Sequence, residues 1–194
     1  MQPPAEHVHW LFATGFLLLG LLLLARAIVG DELWRRRAWR AYLWPSLLFG
    51  LGVLMWPVMV FFTNSTIHMV AHGAWAQTMM LAGAAELGLV RGKLHHRAWG
   101  LAMPLALAVS GAALLVHEQN GWFFARAAFL HHALGWTALV GSIFPLVAVL
   151  RPRSRVWSSG FALTLVVIAV FLYADRDVAP IFGHLSPLAG EPHR

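Results

Sequence analysis

Ile67-His68-Met69-Val70-Ala71-His72-Gly73-Ala74-Trp75 sets two histidines four residues apart, just inside a long apolar run. On a helix, residues i and i+4 share a face, one turn apart. Continued along that face, the stripe reads His68, His72, Trp75, Met79, Gly83, Glu86. Two imidazoles, a thioether and a carboxylate on one line of a greasy helix are ill suited to lipid. Ionisable groups at membrane depth normally face a bundle interior and mark functional sites. The stretch therefore predicts a helix bundle built around this line.

The composition agrees. The 194 residues are 59% hydrophobic and 11% charged, with a mean hydropathy of +0.67. A soluble domain is nearer 45–50% apolar and about 25% charged. Cysteine is absent, which excludes disulfides, thiolate clusters and cysteine-held iron–sulfur centres. Met1-Gln2-Pro3-Pro4-Ala5-Glu6 lacks the basic start of a signal peptide, so the first apolar run is expected to stay as a helix.

Apolar runs separated by charged or Pro/Gly-rich breaks place spans at about 9–28, 42–62, 66–90, 98–117, 127–150 and 156–174, followed by a tail over 175–194. Each is close to the ~20 residues that cross a ~30 Å hydrocarbon core. The basic, Trp-rich segment 31–40 reads as an interfacial helix or loop. The expected fold is all-α: a polytopic membrane helix bundle, six transmembrane helices in a single domain over 1–194.

Charge sets the orientation. The loops after spans one, three and five hold Arg26, Arg35, Arg36, Arg37, Arg40, Arg91, Lys93, Arg97, Arg151, Arg153 and Arg155, against Arg126, Arg176 and Arg194 on the other side. That asymmetry puts the basic side in the cytoplasm and both termini outside, in the periplasm for a bacterial inner-membrane protein. The bilayer is the partner these arginines imply, and they give no reason to expect nucleic acid.

The histidines segregate by side. His7, His9, His68, His72, His117, His131, His132, His184 and His193 fall on the outer side, and His95 and His96 on the inner one. His117 continues a stripe of Met103, Ala106, Ser110 and Ala113; His131 continues Gly135, Ala138 and Ser142. Small residues let membrane helices approach closely. His131 and His132 point about 100° apart, so one of the two is expected to join a site. His131 has the smaller-residue face.

Imidazole is the commonest metal ligand, and an i,i+4 pair chelates one ion from one helix. The candidate ligands are His68, His72, His117, His131 and His132. Glu118, Met69, Met79, Trp75 and Trp136 are the candidate supporting residues. Thioethers bias the metal towards copper as Cu(I); zinc is an alternative. A b-type haem, with axial histidines from two helices, is the second reading. The third is an accessory membrane subunit whose histidines bind only backbone and water. Nothing in the chain supplies an obvious substrate pocket, so binding, delivery or transport ranks above enzymatic catalysis. Glu86 is expected to pair with Arg97 or another basic residue, and Gln77 to bridge helices.

His68-Met69-Val70-Ala71-His72 resembles the His-Met-x-x-His element of CtaG-type membrane proteins, which are implicated in copper delivery to cytochrome oxidase. Phe129-Leu130-His131-His132-Ala133-Leu134-Gly135-Trp136 looks similar to their later histidine-bearing span. The likeness covers part of the chain, which has fewer spans than that family and lacks its Pro-rich continuation. CopD-type copper importers are similar in architecture alone. The resemblance implies copper handling at the outer face by His68 and His72, with a periplasmic metallochaperone or a respiratory complex as partner.

The orientation is open to a direct check. A tag after Arg194 in inside-in bacterial cells with a permeabilised outer membrane should be cut by added protease, whereas protection of the tag would reverse the topology.

Overall fold

The computed structural model describes residues 5–62, 66–116, 125–151 and 154–174, with the side chains of 5, 59–62, 66–71 and 125–127 outside the description. Asn64 and Ser65 between the second and third expected spans, His117, Glu118 and the tail 175–194 lie outside the described residues. Seven α-helices run in order: α1 Ala5–Val29, α2 Asp31–Arg35, α3 Arg40–Phe62, α4 Thr66–Val90, α5 Ala102–Val116, α6 Ala125–Leu150 and α7 Arg155–Ala174. A 3-10 turn over Arg97–Leu101 leads into α5. No strand occurs among the described residues.

Five stretches are long and apolar enough to cross a membrane: Glu6–Val29, Arg40–Val58, Arg97–Val116, Ala128–Leu150 and Arg155–Ala174. They do not include α4, whose described residues carry His72, Gln77, Thr78 and Glu86. These helices are apolar on all sides. Leu81, Leu105, Val109, Trp136 and Val170 face outward as freely as Leu19, Leu165 and Ala169 face inward. A helix without a polar face belongs in a core or a bilayer, and several such helices exposed together mark a membrane protein.

Six long helices close into a ring. α3 packs on α4, α4 on α5, α5 on α6, α6 on α7, and α7 returns to α1, which also meets α3. The closing seam carries a hydrogen bond between the Thr14 and Tyr173 hydroxyls, 2.7 Å apart. Thr14 also donates to the Trp10 carbonyl at 2.8 Å, so Tyr173 is the donor across the seam.

Glycine brings the walls together. A methyl group at Gly83 of α4 would lie 2.7 Å from the Phe49 backbone nitrogen of α3. At Gly111 of α5 it would lie 2.8 Å from both the Gly135 carbonyl and the Leu139 nitrogen of α6. Backbone cannot rotate out of the way, so these contacts require the missing Cβ.

One end of the ring is basic. There the short helix α2 lies across the chain from α1 to α3, with Trp34 buried and its indole NH donating to the Arg40 carbonyl at 3.2 Å. The Arg40 guanidinium sits 5.7 Å from the Trp34 ring and 5.8 Å from Trp39. Arg26 Nε donates to Asp31 at 2.6 Å across the α1–α2 turn. His96, placed on the inner side by the sequence, has a specific role: its Nδ1 accepts from the Ala98 NH at 3.1 Å and caps the 3-10 turn.

Two substitutions separate packing from composition. Gly83→Ala should lower thermal stability in detergent by about 1–3 kcal/mol, the cost of overpacking a closed contact. Gly50→Ala meets nothing within 4 Å and should leave stability unchanged or raise it by roughly 0.5–1 kcal/mol through helix propensity. Equal melting shifts in the two variants would refute the Gly83 contact.

Candidate functional site

The ring encloses a cavity of about 160 Å3 near the end opposite the arginines, lined by all six long helices. Its walls are Leu, Phe, Ala and Ile with few polar side chains. His9 comes from α1, His72 from α4 and His131 from α6, with the hydroxyls of Thr78 and Ser110. Met55 of α3 and Met79 of α4 join the lining, and Met103 of α5 lies at the floor. His72 and His131 are buried, at 6% and 9% exposure.

Local structure explains each placement. His72 lies in the second turn of α4, where the small Gly73 and Ala76 beside it are buried against the wall. The His72 ring meets the Trp75 indole edge-on, with centroids 4.6 Å apart and planes at 74°. Trp75 lies three residues on, the spacing that stacks side chains on one helix face. The hydroxyl of Thr78 donates back to the Trp75 carbonyl at 2.8 Å, so it costs the cavity no unsatisfied polar group. His131 shares its inward face with Leu134, Gly135 and Ala138, all buried.

The expected residues divide. His72, His131, Trp75 and Met79 line one cavity. His132 is exposed on the outer surface of α6, with Nδ1 2.7 Å from the Ala128 carbonyl. Of the adjacent pair, the cavity takes His131. Trp136 is also on the outer face, 60% exposed, and does not wall the cavity. It follows His132 by four residues, so the two share the lipid-side face. Gln77 is exposed and bridges no helices. His68 and Met69 lie on α4, but their side chains are outside the description, as are His117 and Glu118 entirely.

His9 and Met55 were not expected at the site. The first apolar run, read as about 9–28, puts His9 at its very edge, next to the polar lead. Instead α1 starts at Ala5, so His9 is one full turn inside the helix. The sequence signal was present in Val8 and Phe12: these flank His9 within one turn, and both are buried in the core.

The chemistry available is that of a soft donor set. Neutral imidazole and thioether groups suit Cu(I). Among the described residues, no three His, Asp or Glu side chains come close enough to form a ready-made ion cage. A site here would use two imidazoles with thioethers, or draw on a residue outside the description.

A second cavity, about 610 Å3, opens at the arginine end. It is lined by Arg26, Asp31, Glu32, Arg35, Arg155 and Glu86, among others. Glu86 is partly buried and shares this lining with Arg26, whereas Arg97 is exposed.

Comparison of the chain with protein-family models, curated proteins and solved structures finds no match. The functional reading therefore rests on the residues.

If the cavity holds Cu(I), affinity measured after anaerobic loading should fall by at least about tenfold in His72→Ala and in His131→Ala, the scale seen when a metal site loses a supporting group. His132→Ala should retain wild-type binding. A loss in His132→Ala matching that in His131→Ala would overturn the division between them.

Proposed function

We propose that this protein binds copper as Cu(I) at the histidine end of a six-span inner-membrane bundle, and delivers it on that side. The observation that carries the reading is the joint presence of His72, His131, Met55 and Met79 in one largely apolar cavity. The ligands would be His72 and His131 with the thioether of Met79, and His68 is the further candidate from the same helix. The His68–His72 likeness to CtaG-type proteins points the same way.

Charge favours the monovalent ion. The donors are neutral, so the ion's charge stays uncompensated inside a low-dielectric bundle. The desolvation cost rises with the square of the charge, and a divalent ion would cost about four times as much. Zn(II) and Cu(II) are disfavoured by that margin. Loop charges support a cytoplasmic arginine end, and a sixth span would be α4, whose packing on α3 and α5 suits a helix sheltered in the bilayer by its neighbours. A soluble metallochaperone or a respiratory complex on the periplasmic side would be the recipient.

A b-type haem is the second reading, and one observation favours it. His72 and His131 come from α4 and α6, which are not packed neighbours, since each packs on α5 between them. Axial ligation across a porphyrin uses that kind of separation. The cavity volume supports the ion instead: about 160 Å3 is below the roughly 300–1,000 Å3 of pockets that hold larger organic ligands. A single ion with a few waters fits without opening the ring.

The absorption spectrum and elemental content of protein purified in detergent separate the readings. Near-stoichiometric copper after Cu(I) loading, with no Soret band, is expected. A Soret band with stoichiometric iron would make the protein a haem carrier, and binding of neither would reduce the histidines to structural groups.

A further inference from the structure

The two cavities lie on one axis. Met103 of α5 lines both, from the floor of the histidine cavity and the roof of the arginine-end vestibule. On three other helices the lining passes from one cavity to the other within a single turn. These steps are Ala82 to Glu86 on α4, Leu48 to Trp44 on α3, and Leu165 to Phe161 on α7. Four residues of helix span about 6 Å. The partition between the cavities is therefore about one helical turn thick.

The inward line of α4 runs through it. His72 and Met79 line the histidine cavity, and Glu86 lines the vestibule. They are spaced i, i+7 and i+14, which keeps one helix face over about 21 Å. The donor type changes along this line, from imidazole to thioether to carboxylate. The partition itself is buried Met103, Trp44, Leu48, Phe161 and Leu165. A fixed charge there would be costly without a partner. A thioether is neutral, flexible and able to bind a soft cation, so it suits a ligand that must move.

We infer that the two cavities are the halves of one passage for Cu(I) through the bundle, with the Met103 thioether as its gate and the Glu86 carboxylate receiving the ion at the vestibule. This rests on the copper reading above and adds translocation to binding. The ion stays Cu(I) throughout, exchanging ligands from the His72–His131–Met79 set to Met103 and then to Glu86, with no electron transferred. Arg26 is held by Asp31 at 2.6 Å, which leaves the Glu86 carboxylate less completely neutralised by that arginine.

The test uses the full chain in sealed proteoliposomes under anaerobic conditions. Cu(I) is supplied outside, and an entrapped fluorescent Cu(I) chelator reports entry. Wild type should load the chelator faster than protein-free vesicles. Met103→Leu keeps the side chain's bulk but loses the sulfur, and Glu86→Gln keeps its shape but loses the charge. Each should bind copper in detergent at the wild-type stoichiometry yet slow entry at least about tenfold. Wild-type protein that binds copper but moves it no faster than empty vesicles would overturn the passage and leave the binding reading intact. Absence of binding would overturn both. Entry at the wild-type rate in Met103→Leu or in Glu86→Gln would overturn the role assigned to that residue, and in both together the route itself.

Discussion

An imidazole or carboxylate on a helix that is apolar on every other side cannot face hydrocarbon without losing its hydrogen bonds, and that cost orients the helices of this bundle. His72 and Glu86 fix the rotation of α4, because they lie on one face at multiples of seven residues and both point inward. His9 and His131 do the same for α1 and α6. Apolar residues carry no such information here. Leu81 and Leu105 would be equally stable on either side of the ring, since lipid and core are both oily.

The polar groups decide which faces turn inward, and the glycines decide how closely they meet. Gly83 against Phe49 seats α4 on α3, and Gly111 against Gly135 seats α5 on α6. Membrane helices gain little from expelling water on association, so close backbone contact has to supply much of the attraction. Tight seams at the circumference then leave the interior underfilled. The ring encloses a cavity because the side chains pointing into it include Ala82, Ala106, Ser110 and Ala138, which are too small to meet across it.

Helix boundaries were legible where charge or a turn interrupts an apolar run. The run ending before Arg91 gives α4 its bounds at Thr66 and Val90, and the run before Arg151 gives α6 its end at Leu150. The start of α1 was less legible, because polar residues that occupy a first helical turn look like a flexible lead; His9 was displaced from the site for that reason. The choice between His131 and His132 followed from the small residues one and two turns along, Gly135 and Ala138, and both are buried. Trp136 shows the limit of that reasoning. An indole near a histidine serves equally as a cavity wall or as a lipid-facing surface, and only its offset of about 140° from His131 separates the two. The sequence named Arg97 or another basic residue as the neighbour of Glu86; that Arg26 lines the same vestibule depends on how α1 and α4 meet across the ring.

The distribution of donors along the axis also bears on the copper proposal, since the described residues form no closed metal cage. Structural metal sites use four fixed ligands and hold their ion tightly. Here the nitrogen donors His72 and His131 sit on helices separated by α5, and thioethers supply the rest of the soft lining. Methionine has three rotatable bonds and a weakly binding sulfur, so it follows an ion without fixing its position. A lining of that kind binds less tightly than a cage and exchanges ligands more readily. Those properties suit the proposed hand-over of an ion, and they arise from the same constraint that shaped the fold: His9, His72 and His131 line the interior, where a permanent charge would be costly without a partner.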